Sequence, residues 1–378
     1  MAPSPSDYIE RGTKLLTSLT GLYTKPKTTP PPITERTAIL CSVLFTVLYI
    51  APFYLSPTLR STPLSSRNAP SVIQARVRAV FLTCFACTAI TAFILIEYAH
   101  ATTTDLLHLT GLWPFSALDC VSVLGLVAVL FIGPLFEALV ADGGWRELGF
   151  YSLKESVWDS WIGYRNLVIA PLSEEVVFRA LTIPLYLIAR VDATKIVFVS
   201  PLIFGLAHVH HLVDFLKSHT LPGQKTPSAM IWFQGIVRSL FQFTYTSLFG
   251  FFEAFVFLRT GSLLATILAH SFCNCMGFPR VWGRVGVDEA PAHQVAPDVA
   301  QGKRDDAEGI VKVGNAALLP QEDAMHTTAT VSRKSALWTV IYYTLLPVGA
   351  YGFYKLLWRF TESNYALAAF SVSVPSQL

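Results

Sequence analysis

The sequence predicts an all-α polytopic membrane protein, a bundle of about eight transmembrane helices with an intramembrane active site. Of its 378 residues, 52% are hydrophobic and only 14% are charged, where an ordinary soluble domain carries about 25% charged residues. The mean hydropathy is +0.48. The apolar residues also fall in long stretches free of Asp, Glu, Lys and Arg, as helices that cross a bilayer require. Several of the later stretches nevertheless hold Glu, His or Arg, and such costly groups mark a site.

Residues 1–36 read as a polar tail. They contain Pro3, Pro5, Pro26 and the run Pro30, Pro31 and Pro32, and they lack a basic segment leading into a short apolar core, so no cleaved signal is expected. Spans are expected at 37–56, 79–96 and 120–140, the last broken only by Glu137. Residues 106–118 are apolar but short, and Gly111 and Pro114 mark them as an interfacial or re-entrant piece. Residues 37–142 thus form an N-terminal group of transmembrane helices.

Residues 143–279 form the expected catalytic core. Spans fall at 166–189, with Glu174, Glu175 and Arg179; at 196–213, with His208, His210 and His211; at 239–258, with Glu253; and at 260–279, with His270 and Asn274. Residues 280–334 are rich in charge, Gly, Pro and Ala and read as a disordered, tolerated loop. A last span at 335–354 opens the C-terminal unit, 335–378.

The charge balance, 28 basic against 25 acidic residues, gives +3 and offers no nucleic-acid surface. The six cysteines lie almost entirely within apolar runs, so Cys84-x-x-Cys87 reads as packing rather than a redox or zinc pair. Basic residues flank the first span on both sides, and the positive-inside rule gives no orientation.

Each intramembrane ionisable group costs at least about 2.5 kcal/mol at a helix centre, so these groups should face one another across a polar cavity. Glu175 and Arg179 are four apart on one helix face and can pair. Glu174 is turned about 100° away and is left to do chemistry. Phe204, His208 and His211 share a face at spacings of four and three, while His210 points elsewhere. Gly205 and Ala207 permit close helix approach. His270 and Asn274, again four apart, can aim two donors at one point. A carboxylate, an imidazole and two donors suit water activation and attack on a carbonyl. One Glu with two His is also a catalytic zinc set, and a proton or ion pathway uses similar groups. There is no His-Glu-x-x-His and no Gly-x-Ser-x-Gly.

Glu-Glu-x-x-x-Arg, Phe-x-x-x-His and His-x-x-x-Asn on successive apolar segments resemble the ABI/CPBP superfamily of membrane proteases. The runs 165–171, 204–211 and 270–279, with Tyr245, Thr246, Phe249, Gly250, Arg259, Thr260 and Gly261, resemble its eukaryotic type II CAAX prenyl endopeptidases. The close resemblance covers about residues 144–279. It implies that Glu174 and His208 activate water, that His270 and Asn274 form an oxyanion hole, and that Glu175, Arg179, Phe204 and His211 support them. It further implies no metal or other cofactor. The expected substrates are prenylated C-a-a-X proteins, Ras-like among them, cut at the endoplasmic reticulum membrane from the cytosolic side to release the last three residues. A prenyl tail in lipid beside a tripeptide in water fits such a site. Glu253 matches no motif of the family.

Overall fold

The computed structural model describes residues 30–56, 58–59, 68–146, 149–220, 224, 226–285 and 335–370. Most of the expected N-terminal tail and residues 286–334 of the expected polar loop lie outside these. Among the described residues the secondary structure is entirely helical.

Long helices α1 (Glu35–Leu55) and α2 (Pro70–Ala99) come first. A short helix α3 (Thr103–Leu109) follows, then α4 (Ala117–Leu130) and α5 (Ile132–Ala141), which meet at a bend of 81°. After α6 (Phe150–Val157), a nearly continuous helical run, α7, covers 161–188 and contains two wide π turns, Arg165–Ile169 and Val176–Leu181. Helices α8 (Ala193–Ala207), α9 (His210–Ser218), α10 (Ala229–Thr260) and α11 (Leu263–Met276) complete the core. Helix α12 (Ala336–Phe360) is the last.

All eight expected spans are helical. Among the described residues, five helical runs are long and apolar enough to cross a membrane, with α8 and α9 counted together as Ala193–Lys217, and six if the bent α4–α5 pair counts as one span. The remaining two expected spans are the π-interrupted α7 and the 14-residue α11. These two carry Glu174, Glu175, Arg179, His270 and Asn274.

The helix starts follow from the sequence. Thr34, Ser116, Asp192, Ser228, Ser262 and Ser335 each accept a hydrogen bond from a first-turn N–H of the helix they precede. At the other end of α10, Gly261 takes the left-handed conformation (φ +57°), which lets α11 start at once.

Helix α8 packs most extensively on α10. Gly250 of α10 makes the approach possible, since a Cβ there would stand 2.6 Å from Pro201. Helix α11 lies against α4 and α7, α12 lies against α4 and α5, and α1 covers α8. The main apolar core gathers around α7, including Val177, Ile183, Leu185 and Tyr186 with Phe204 and Phe257. The C-terminal segment has a defined place. Leu367 N–H donates to Leu258 O (2.8 Å) and His108 donates through Nε2 to Tyr365 O (3.0 Å). Leu263 N–H donates to Gly111 O beside them (2.9 Å), so three distant segments fix the α10–α11 turn.

Candidate active site

A cavity of about 620 Å³ opens among α1, α2, α7, α8, α10 and α11. Glu174, Phe204, His208, His211, His270 and Asn274 all line it. Glu175 and Arg179 lie behind its wall, essentially inaccessible.

Glu175 organises that wall. Its Oε1 accepts from Arg179 Nη1 at 3.0 Å, the pairing its spacing predicts, and from His270 Nδ1 at 2.7 Å. The second contact was not legible in the sequence, since it joins α7 to α11. A buried carboxylate needs such partners, because an unpaired charge at this depth is costly. With Nδ1 holding its proton toward Glu175, the His270 ring turns Nε2 toward the cavity, 3.9 Å from Glu174 Oε2. The Glu174 side chain is 17% exposed, in contrast to the sealed Glu175.

Phe204 explains its own place in the motif. Its ring lies 4.6 Å from the Arg179 guanidinium and meets Phe178 and His208 edge-on, at 5.0 and 4.9 Å. Its carbonyl accepts from His208 Nδ1 at 3.0 Å. A carbonyl can only accept, so Nδ1 carries the proton and Nε2 keeps a lone pair.

The chain does not continue as one regular helix through the three histidines. After Ala207 the backbone tightens, with His208 and Val209 N–H bonding three residues back to Gly205 and Leu206, and α9 starts at His210. This corrects the expectation for His210: the break brings it, too, onto the cavity wall, with its ring 4.0 Å from that of His211. His210, His211 and Asp214 each offer one ligand atom, all within 4.8 Å of one another. Among the described residues this is the set that could hold a metal, and it is not the Glu174–His208–His270 set.

Asn274 is held by a consequence of Pro171. That residue has no N–H, so it can donate neither to Leu167 O, four positions earlier in the α register, nor to Asn166 O, five positions earlier in the π register. Both instead bind α11: Ser271 Oγ donates to Leu167 O (2.8 Å) and Asn274 Nδ2 to Asn166 O (3.0 Å). The π turn and the proline thus dock the two helices together.

Two residues escaped the sequence reading. Tyr49 of α1 lines the cavity and bonds Ser173 Oγ at 2.8 Å; a tyrosine inside an apolar span gives no signal of this. Arg165 also lines the cavity. Glu253 is fully buried on α10, and neither of its oxygens has a hydrogen-bond partner. It lies in the field of Glu175 and Arg179, while Arg259 is engaged with Trp358 O and Thr361.

A helical membrane bundle with carboxylate and imidazole groups facing one interior cavity has the architecture of an intramembrane hydrolase. Residues 156–276 match the family model described as type II CAAX prenyl endopeptidase Rce1-like. The chain is 36% identical over 247 residues to the probable CAAX prenyl protease 2 of Schizosaccharomyces pombe, which covers 65% of this chain and 83% of that one. It is 38% identical over 181 residues to CAAX prenyl protease 2 of Homo sapiens, 46% of this chain and 50% of the human one. The Caenorhabditis elegans protein of that name is 28% identical over 216 residues, 57% of this chain and 75% of its own. No solved structure matches the chain. The protein belongs to the type II CAAX prenyl endopeptidase family and is a membrane-embedded peptidase.

Proposed function

We propose that this peptidase removes the C-terminal aaX tripeptide from prenylated CAAX proteins, Ras-like proteins among them, in the endoplasmic reticulum membrane, with the site entered from the cytosol. The names of its relatives supply the substrate class. The observation that carries the mechanism is the convergence of Glu174, His208, His270 and Asn274 from three elements on one cavity in an otherwise apolar bundle.

In this reading Glu174 accepts a proton from water, with the free Nε2 of His208 as the second acceptor holding that water. The hydroxide attacks the carbonyl of the prenylated cysteine. Asn274 donates to the resulting oxyanion, and His270 does so when Nε2 also carries a proton. Glu175 against Nδ1 compensates the charge that this second proton brings. Collapse breaks the C–N bond, and the proton taken from water goes to the leaving amine. The catalytic unit is residues 143–279, flanked by the N-terminal transmembrane helices of 37–142 and by the C-terminal transmembrane helix and tail of 335–378, with 280–334 as a dispensable polar insert.

The test is cleavage of a farnesylated C-a-a-X peptide by membranes containing the protein. Glu174→Gln, His208→Ala and His270→Ala should each lower the rate by at least about a hundredfold, the scale of one general-acid–base or oxyanion contribution. Normal turnover by Glu174→Gln would refute this mechanism. A metal-dependent reading has one observation in its favour, the His210–His211–Asp214 cluster. It predicts that a chelator stops cleavage and zinc restores it, whereas the glutamate reading predicts no change.

A further inference from the structure

We propose that Glu253 is a positioning residue for His270: in the reacting state it faces Arg179 as a second carboxylate, and the proton it gives up resides on His270 Nε2. The inference rests on the proposed oxyanion role of His270 and says what lets that ring carry two protons.

One side of α10 faces the buried cluster behind the cavity wall. The Phe249 ring meets that of His270 edge-on at 4.8 Å. A Cβ at Gly250 would stand 3.5 Å from Arg179 Nη2. Glu253 follows four and three positions later, on that same side of the helix. Among the described residues, both Glu253 oxygens are buried without a hydrogen-bond partner, and so are Arg179 Nη2 and Glu175 Oε2. A guanidinium presents its donors in a fixed fork. Here Nη1 serves Glu175, and Nη2 is left for a second acid. Buried polar groups without partners are costly, and such departures gather where chemistry needs them. The other ionisable groups around Glu253 are Glu175 and Arg179 of α7 and Cys273 of α11, with His270 beyond them on Glu175. Helix α8 meets this part of α10 through Pro201 and Phe204, and α12 meets it through Phe353 and Trp358, none of which titrates.

Charge balance supplies the mechanism. With one proton on His270, the Glu175–Arg179 pair is neutral, and a protonated Glu253 keeps the whole cluster neutral. A carboxylate with neither oxygen bonded would not persist at this depth. A second proton on His270 adds a positive charge that Glu175 alone does not balance, since Arg179 already shares the same oxygen. Moving one proton from Glu253 to His270 Nε2 removes the imbalance. An O–H bond breaks at the acid, an N–H bond forms at the ring, and the total charge stays at zero. Negative and positive then alternate through Glu253, Arg179, Glu175 and His270, with Nη2 turned to the new carboxylate. Nε2 is the nitrogen on the cavity side, 3.9 Å from Glu174 Oε2, so the added proton lies where the oxyanion forms.

Cleavage of the farnesylated C-a-a-X peptide by wild type, Glu253→Gln and Glu253→Met tests this, with kcat and KM measured from about pH 6 to about pH 8, the range in which histidine titrates. Glutamine keeps the shape without the charge, and methionine suits the apolar surroundings. Both variants should keep KM and lower kcat by about tenfold at the alkaline end, a mid-range coupling for residues of one buried network. The loss should shrink toward the acid end, where solution supplies the proton that Glu253 no longer gives. Thermal midpoints should stay level or rise, because an unbonded buried acid is gone. In a His270→Ala background, Glu253→Gln should cause no further loss, whereas a merely structural role would lower the residual rate again. The inference is overturned if both neutral variants keep the wild-type kcat across this range, if the loss is the same at every pH, if KM changes in place of kcat, if neither variant folds, or if Glu253→Gln slows His270→Ala further. Failure of wild type to cleave the peptide overturns the proposed function itself. Normal cleavage by His270→Ala overturns the oxyanion role, and this inference with it.

Discussion

One oxygen atom, Glu175 Oε1, receives both Arg179 and His270. Removing the carboxylate leaves a guanidinium with 2% side-chain exposure without its counter-ion, a loss of about 3–5 kcal/mol when buried pairs are broken from one side. Glu175→Ala should therefore lower the thermal midpoint of the detergent-solubilised protein far more than Glu174→Ala, whose carboxylate reaches the cavity. Proteolysis should show the converse order, with Glu175→Ala keeping some turnover and Glu174→Ala none. Equal destabilisation by the two substitutions would contradict this division of labour. Glu253 adds a second sealed acid to the field of Arg179. The sequence showed that these residues were too costly to be idle in a membrane. It could not show that Glu175 serves two helices, because spacing along one helix says nothing of a neighbour 95 positions away.

At the scale of elements, charge-free apolar stretches located the eight spans but neither their irregularities nor the short helix α6. Apolar runs locate α1, α2, α8, α10 and α12 because a bilayer demands unbroken apolar length. The π turns of α7 and the break at His208 have no counterpart in hydropathy, and the break undid the face assignment of His210. Pro171 was visible, yet the use of the two carbonyls before it, Leu167 O and Asn166 O, to grip α11 depends on which helix lies alongside. The α10–α11 turn offers a pH test. His108, on α3 between the spans, donates from Nε2 to Tyr365 O, while its buried Nδ1 has no partner. Burial holds its pKa below the ordinary 6.5, so the folded ring is neutral and the unfolded one takes up a proton first. The stability from this contact is complete above about pH 6.5 and is lost as the pH falls below it. Thermal midpoints measured from pH 7.5 to 5.5 should fall, and His108→Gln should flatten that slope. An identical slope in the variant would assign the acid sensitivity elsewhere.

Across the whole molecule, the stretch after α11 is stitched to the C-terminal helix before it leaves the described residues. Arg280 Nε pairs with Glu137 at 2.8 Å, Tyr342 Oη donates to Arg280 O, and Val285 N–H donates to Thr339 Oγ1 at 3.1 Å. Thr339 is four positions past Ser335, about 6 Å along the helix. Val285 and Ser335, the described residues on either side of 286–334, thus lie close together. Replacing those residues with a flexible linker of about six residues, which spans such a gap easily, should leave peptide cleavage within about twofold of wild type. A loss beyond tenfold would give the insert a working role. The same stitching means that continuity of the backbone there is not what holds α12 in place. A protein nicked within 286–334, or made as two separate polypeptides divided there, should reassemble through the Tyr342–Arg280 and Thr339–Val285 contacts and hydrolyse its peptide as a two-piece enzyme.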